Sequence, residues 1–324
     1  MKEFVPHKLL RNSHVMTIAS HLWRRRFPLL PAGEARLFQT ERETQILAIC
    51  HWQPRRLDAP TLVLLHGLEG SSESGYVTGT AERAWVAGFN VVRLNQRNCG
   101  GSEELTSTLY HSGLSIDIRN VLLELIEKDK LPALCAAGFS MGGNLVLKMA
   151  GEFASDAPPE LKVFVAVAPA LNLAACADAL AEPRNFIYQR HFVTRLKARI
   201  RRKAALFPGK YKLNGLRKIR TVREYDDVIT APHSGFRDAA DYYARSSAGQ
   251  FLAAIARPTL IVAAEDDPFV PFASIRSVLD STNPLIELLA TRHGGHCAFI
   301  SSSREERFWS EGRIVEFCQR FVAR

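Results

Sequence analysis

The chain has 324 residues, of which 47% are hydrophobic and 23% charged, with only 20 Gly and 16 Pro. That composition excludes disordered, collagenous and fibrous classes and leaves room for a large globular core. The net charge is +9, yet the stretch from Arg184 to Arg223 alone holds 14 Lys/Arg and no Asp or Glu, so the rest of the chain is near −5. Basicity therefore belongs to one segment, which raises nucleic acid or anionic lipid as partners of that segment only. No zinc-finger or RNA-recognition motif accompanies it, so no nucleic-acid partner is expected.

The six cysteines stand singly, without zinc spacing or a disulfide pattern. The opening MKEFVPHKLLRNSH lacks a signal-peptide core, and no stretch of 18 residues is free of charge or Pro. A reduced, cytoplasmic, non-spanning protein is expected.

In chain order, an irregular basic arm ends near Pro31, and two β-like runs, Ala35 to Thr40 and Gln45 to Trp52, predict a hairpin. The run Thr61-Leu-Val-Leu-Leu-His66-Gly67 is continuously apolar and closed by Gly, as parallel strands buried on both faces are. Helices then alternate with strands: helix near 76–88, strand Asn90 to Leu94, helix near 113–129, strand Ala133 to Phe139, helix near 141–153, strand Val163 to Ala168. This is an α/β pattern with a mostly parallel sheet and helices on both faces. It resumes only at Thr259 to Ala264, followed by a helix near 271–280, a strand Ile286 to Ala290 and a helix near 304–322. Within the intervening insertion, Phe186, Val193, Leu196, Ile200, Ala204 and Phe207 share one helical face, with most of the Lys/Arg elsewhere on the wheel. The insertion is read as a basic amphipathic cap.

Gly138-Phe-Ser140-Met-Gly142 fits G-x-S-x-G, and it follows a strand and opens a helix. The bare pattern arises by chance in a chain of this composition with probability of about 0.08, so it is the strand-turn-helix setting that gives it weight. A serine needs a base, and the base an orienting carboxylate. Both follow in order at strand ends: Asp266-Asp267 after Thr259 to Ala264, and His296 after Ile286 to Ala290. Asp267 is favoured as the acid, with Asp266 and Glu265 as neighbours. His293 is a competing base, and a metal held by His293, His296 and Asp266 is disfavoured on a Gly-Gly loop lacking a third His. The oxyanion donors are expected to be the Met141 N–H and, from the turn His66-Gly-Leu68-Glu-Gly70, the Leu68 N–H. His111 is read as a loop anchor and Cys297 as packing.

Several stretches together resemble the YheT-like, ABHD-type branch of the α/β-hydrolase superfamily: His66-Gly-Leu-Glu-Gly70, Asn95-Gln-Arg-Asn-Cys-Gly-Gly101, Tyr110-His-Ser-Gly113, Gly138-Phe-Ser-Met-Gly-Gly-Asn144, Asp241-Tyr-Tyr-Ala-Arg-Ser246, Asp266-Asp-Pro-Phe269 and His293-Gly-Gly-His296. The resemblance spans nearly the full length and implies an α/β-hydrolase fold, Ser140 as nucleophile, Asp267 as acid, His296 as base, and ester substrates, often lipids. It also implies Gln where Met16 stands, and the membrane anchor of eukaryotic relatives is not expected here.

These readings give an N-terminal arm (1–34), a core (35–170 and 250–324) and a cap (171–249). The expected activity is serine-dependent cleavage of carboxylic esters without metal or cofactor. An acyltransferase or thioesterase using the same serine, or a non-catalytic hydrolase-fold binding protein, are the alternatives. His66, Phe139, Phe186, Val193, Leu196 and Phe269 are the expected substrate contacts. The basic cap face should look outward, where it could meet anionic lipid, and the oligomeric state is left open.

Overall fold

The computed structural model describes residues 3–279 and 283–322. Its frame is an eight-stranded sheet: β1 (Glu34–Glu41), β2 (Thr44–His51), β3 (Thr61–Leu65), β4 (Asn90–Leu94), β5 (Leu134–Phe139), β6 (Leu161–Val167), β7 (Thr259–Ala264) and β8 (Ile286–Thr291), in the order β1-β2-β4-β3-β5-β6-β7-β8. β1 and β2 form an antiparallel hairpin, β2 joins β4 antiparallel, and every other pairing is parallel. β3, β4, β5 and β7 are buried along their whole lengths and β6 at every residue but Lys162, which is why β3, β5 and β7 read as largely apolar runs.

Alternate strand residues feed two cores. Val63, Leu65, Ala136 and Phe164 face α3 (Ser115–Glu127) and α4 (Met141–Phe153), whereas Leu62, Leu64, Ala137 and Val165 face α2 (Gly75–Val86) and α11 (Trp309–Val322). Between β6 and β7 come α5 (Leu173–Ala181), α6 (Phe186–Leu206), the short turns α7 (Val222–Tyr225) and α8 (Ala231–His233), and α9 (Ala239–Ser246); α10 (Phe272–Leu279) follows β7. A π-helical turn, Asp226–Thr230, joins α7 to α8.

Three expectations need correction. The N-terminal arm is not irregular throughout: Asn12 caps a helix, α1 (Ser13–Leu22), by accepting from the Val15 N–H at 3.1 Å, and Met16 is fully buried beneath it. The last helix starts at Trp309 rather than 304, because Ile300 and Phe308 pair as an isolated bridge. The helix expected near 271–280 is present and needs no correction over Phe272–Leu279; residue 280 lies outside the described residues.

The third correction concerns the cap. α6 buries Gln189, Val193, Leu196, Arg199, Ile200 and Lys203, while Phe186 is 62% exposed. The basic residues are thus not all outward. Lys203 lies fully buried, donating to the carbonyls of Glu103 and Thr106, and the Arg199 guanidinium is also inside. Aliphatic stems pack like apolar side chains when their charged ends find acceptors, and hydrophobicity alone does not register this.

Candidate active site

Ser140 stands between β5 and α4 with φ +53° and ψ −118°, a strained conformation for a non-glycine residue. The crossing is tight. A Cβ on Gly138 would overlap the Gly142 carbonyl, and one on Gly142 would overlap the carbonyls of Leu65 and His66. The turn after β3 is equally close, since a Cβ on Gly67 would lie 3.1 Å from the Ser140 Cβ.

Both aspartates after β7 find a histidine, and they divide them. Asp267 Oδ2 meets His296 Nδ1 at 2.8 Å, and its Oδ1 accepts the N–H groups of Phe269 at 3.0 Å and Val270 at 2.9 Å. Asp266 Oδ2 lies 3.3 Å from His293 Nδ1, and its Oδ1 accepts from Gly295 N–H at 3.0 Å. The Asp267 side chain is nearly inaccessible, whereas Asp266 and His293 are partly open. With Nδ1 donating to Asp267, the His296 ring presents Nε2 for proton exchange. Burial lowers the pKa of His296, but Asp267 outweighs it, with the Cys297 sulfur adding to the rise, and the imidazole is held above its ordinary value.

Ser140 N–H donates to the Val167 carbonyl at 2.8 Å, and the Cys297 thiol reaches the same carbonyl at 3.7 Å. One oxygen at the end of β6 therefore anchors both the elbow and the histidine loop. Cys297, expected only to pack, thus also ties the histidine loop to β6. Phe269 lies against the His296 ring at 4.0 Å between centroids, and Thr17 of α1 accepts the His296 N–H at 2.9 Å.

A cavity with about 920 Å³ of empty space, mouth included, opens on Ser140. Its core wall includes Leu68, Met141 and Phe269. The cap closes it with Leu173, Cys176 and Leu180 of α5, Phe192 and Leu196 of α6, and Tyr242 and Tyr243 of α9. The wall is mainly apolar but carries His111, Asp226 and Thr230. Asp226 accepts from Thr230 and Tyr243 hydroxyls, each at 2.7 Å, and burial pushes its pKa up to about 6. His111 accepts the Gly113 N–H at 3.1 Å, and burial, with Arg97 and Lys148, lowers its pKa to about 3, so it is neutral.

Leu196 and Phe269 lie on this wall, and four other expected substrate contacts do not. His66 is wholly buried. Its Nδ1 pairs with the Gly67 carbonyl at 2.7 Å, its Nε2 accepts from Gln96 N–H at 3.1 Å, and burial lowers its pKa to about 4, so it braces the turn. Phe139 is buried against Tyr76, 4.6 Å between centroids. Val193 faces the cap interior, and Phe186 faces solvent.

The sequence reading missed the supports of the turn bearing Leu68. Tyr76 hydroxyl accepts the Gly67 N–H at 3.0 Å, and Tyr110 hydroxyl accepts the Glu69 N–H at 3.3 Å while donating to Glu69 Oε1 at 2.7 Å. Arg199 grips the Glu69 carboxylate and donates to the Asn98 carbonyl. Burial pushes Glu69 up, but the guanidinium prevails and holds its pKa below the ordinary value. Behind the elbow, Asn144 Nδ2 donates to the carbonyls of Ser112 and Ser246, both at 2.9 Å, and its Oδ1 accepts from Ala248 N–H at 2.8 Å, which ties core to cap. Glu69 and Asn144 lay within the quoted motifs, but nothing local pointed to Arg199, 130 positions from its partner.

Among the described residues, no group of three or more His, Cys, Asp or Glu is placed to hold a metal ion, and no helix is long and apolar enough to cross a membrane.

Residues 60–303 match the family described as alpha/beta hydrolase fold. YheT of Escherichia coli (strain K12) is 34% identical over 99% of this chain and 94% of its own length. Phospholipase ABHD3 of Mus musculus is 29% identical over 74% of this chain, which spans 58% of that protein. The Saccharomyces cerevisiae protein named medium-chain fatty acid ethyl ester synthase/esterase 2 is 28% identical over 82% of this chain and 63% of its own length. Among solved structures, the Pyrococcus furiosus esterase Pf2001 superposes with a TM-score of 0.63 at 16% identity, covering 100% of this chain and 99% of that one, a likeness of fold. The chain belongs to the YheT-like branch of the α/β-hydrolase superfamily.

Proposed function

We propose that the protein is a serine hydrolase that cleaves carboxylic esters, lipid esters among them, through Ser140, His296 and Asp267. The observation that carries this reading is the convergence of the elbow and the histidine loop on the Val167 carbonyl, with His296 Nδ1 held 2.8 Å from Asp267. Ser140 Oγ attacks the ester carbonyl carbon while His296 Nε2 takes its proton. The Leu68 and Met141 N–H groups receive the charge that develops on the carbonyl oxygen. The intermediate collapses as the carbon–oxygen bond to the leaving alcohol breaks and His296 returns the proton to that alcohol. Water then adds to the acyl-enzyme, passing a proton to His296; Ser140 leaves, recovers that proton, and the carboxylic acid departs.

The apolar wall formed by Leu173, Leu180, Phe192, Leu196 and Phe269 favours an acyl chain over a polar headgroup inside the cavity. Residues 171–249 then act as a cap over the acyl site. All six cysteines are free and buried, which suits a reducing, cytoplasmic setting. A panel of nitrophenyl esters of increasing acyl length tests the reading. Turnover should rise with chain length to an optimum and vanish in Ser140→Ala, and persistence of turnover in that variant would refute it.

A further inference from the structure

α1 is pinned on two sides. Met16 is buried in the core and Thr17 holds the His296 loop, while His14 stacks on Tyr188 at 5.8 Å and His21 meets the edge of His191 at 5.7 Å on α6. The outward stripe that remains is Val15, Ile18 and Leu22, at i, i+3 and i+7, where a surface helix ordinarily carries polar residues. On α6, whose Tyr188 and His191 meet α1, the first turn presents the exposed Phe186 and Ile187. Leu22 is 69% and Ile187 67% exposed. Large apolar side chains gathered on two touching helices mark an interaction surface rather than scattered exposure.

The sequence that carries this stripe is rich in positive charge. Residues 4–33 carry five Lys/Arg and no Asp or Glu, and residues 183–223 carry 14 Lys/Arg and no acid, although Arg184 pairs with the exposed Glu182, and Arg195, Arg199, Arg202 and Arg223 pair with Glu69, Glu103 and Asp178. Arg11, Arg24, Arg26 and Arg190 are exposed on these segments. An apolar stripe in a predominantly basic frame, with Glu182 the acid beside the first turn of α6, matches the acyl boundary and headgroups of an anionic bilayer. A second copy of this chain fits poorly, because like fields would face each other.

We propose that α1 and the first turn of α6 form a docking face for anionic phospholipid bilayers. Its place in the fold gives the docking a use. Tyr188, which packs on α1, lies 5.1 Å from Phe269 between centroids, and Phe269 lies against His296, so a docked bilayer adjoins the candidate active site. That use rests on the ester-hydrolase reading; the docking itself does not.

The test is co-sedimentation of the full chain with vesicles of phosphatidylcholine alone or mixed with phosphatidylglycerol, for the wild type and for Leu22→Asp/Ile187→Asp. The wild type should bind the anionic vesicles at least about tenfold more tightly, with the gap closing in high salt. The double variant should lose vesicle binding yet keep wild-type Tm and turnover of a short soluble ester. Equal partition into both vesicle types, no partition into either, or undiminished binding by the variant would overturn the proposal. So would a wild-type dimer in gel filtration that the variant dissolves, which would assign the face to a second copy. Fluorophosphonate labelling of the same samples without vesicles reads Ser140 separately, so failure of docking and failure of the hydrolase reading are distinguishable.

Discussion

Arg199 of the cap and Glu69 of the turn after β3 form a buried, two-pronged ion pair, Nε to Oε1 at 2.7 Å and Nη2 to Oε2 at 3.0 Å. Glu69 has φ +57°, immediately after Leu68, so the pair links the cap to the proposed oxyanion donor. Removing one partner of a buried pair strands the other charge, at about 3–5 kcal/mol. Arg199→Ala should therefore lower kcat on a small neutral ester by about 10- to 100-fold with little change in KM, since the donor acts on the transition state. Arg201→Glu, on the exposed face, should leave both unchanged. Steady-state kinetics on one soluble ester check both, and a loss confined to Tm in Arg199→Ala would reduce the pair to a structural tie.

The His296 pairing sets a pH limb. Asp267 raises the imidazole above 6.5, outweighing burial, so the neutral base appears only at higher pH than in free histidine. The acid limb of kcat/KM should lie above 6.5 in the wild type. Asp267→Asn should lower turnover by about 10³-fold or more and shift that limb downward. Asp266→Asn, which disturbs only His293 and Gly295, should be mild. The same pairing stabilises the fold below pH 6.5, and that gain is lost as pH rises through the folded-state value.

Asp226 works with the same sign. Burial raises its pKa from 3.8 to about 6 against the pull of its two hydroxyl partners, so its contribution to stability is present below 3.8 and lost as pH climbs past 6. Denaturant titrations between pH 4 and 8 should show wild-type stability falling by about 3 kcal/mol at most from this group. Asp226→Asn should flatten that slope, and an unchanged slope would contradict the assignment.

Gly142→Ala tests the packing of the elbow. The added methyl meets the carbonyls of Leu65 and His66, backbone atoms fixed within the sheet and its turn. A loss of about 2 kcal/mol or more in stability is expected, read as a fall in Tm. An unchanged Tm would show that strand and helix can separate there.

The parallel strands were legible because burial on both faces leaves an unbroken apolar run, as in Thr61–Leu65 and Thr259–Ala264. Ser140, Asp267 and His296 could be picked out because each stands just past a strand end, a position that sequence order reveals. What stayed hidden depends on partners distant in sequence. Phe186 and Val193 share the apolar periodicity of Leu196, yet only Leu196 meets the cavity, because solvent and cap interior take the other two. Periodicity marks a buried face without saying against what it is buried. Arg199 and Lys203 read as solvent-facing charge, and only the turns carrying Glu69, Glu103 and Thr106 show why they are inside.

The most direct measurement is covalent labelling of the folded protein with a fluorophosphonate, followed by peptide mass mapping. The wild type should carry one adduct, on Ser140, formed more slowly in the presence of a long-chain ester and much more slowly in His296→Ala; Ser140→Ala should carry none. A folded wild type that gains no adduct, or gains it on a residue other than Ser140, would contradict a nucleophilic serine at the end of β5.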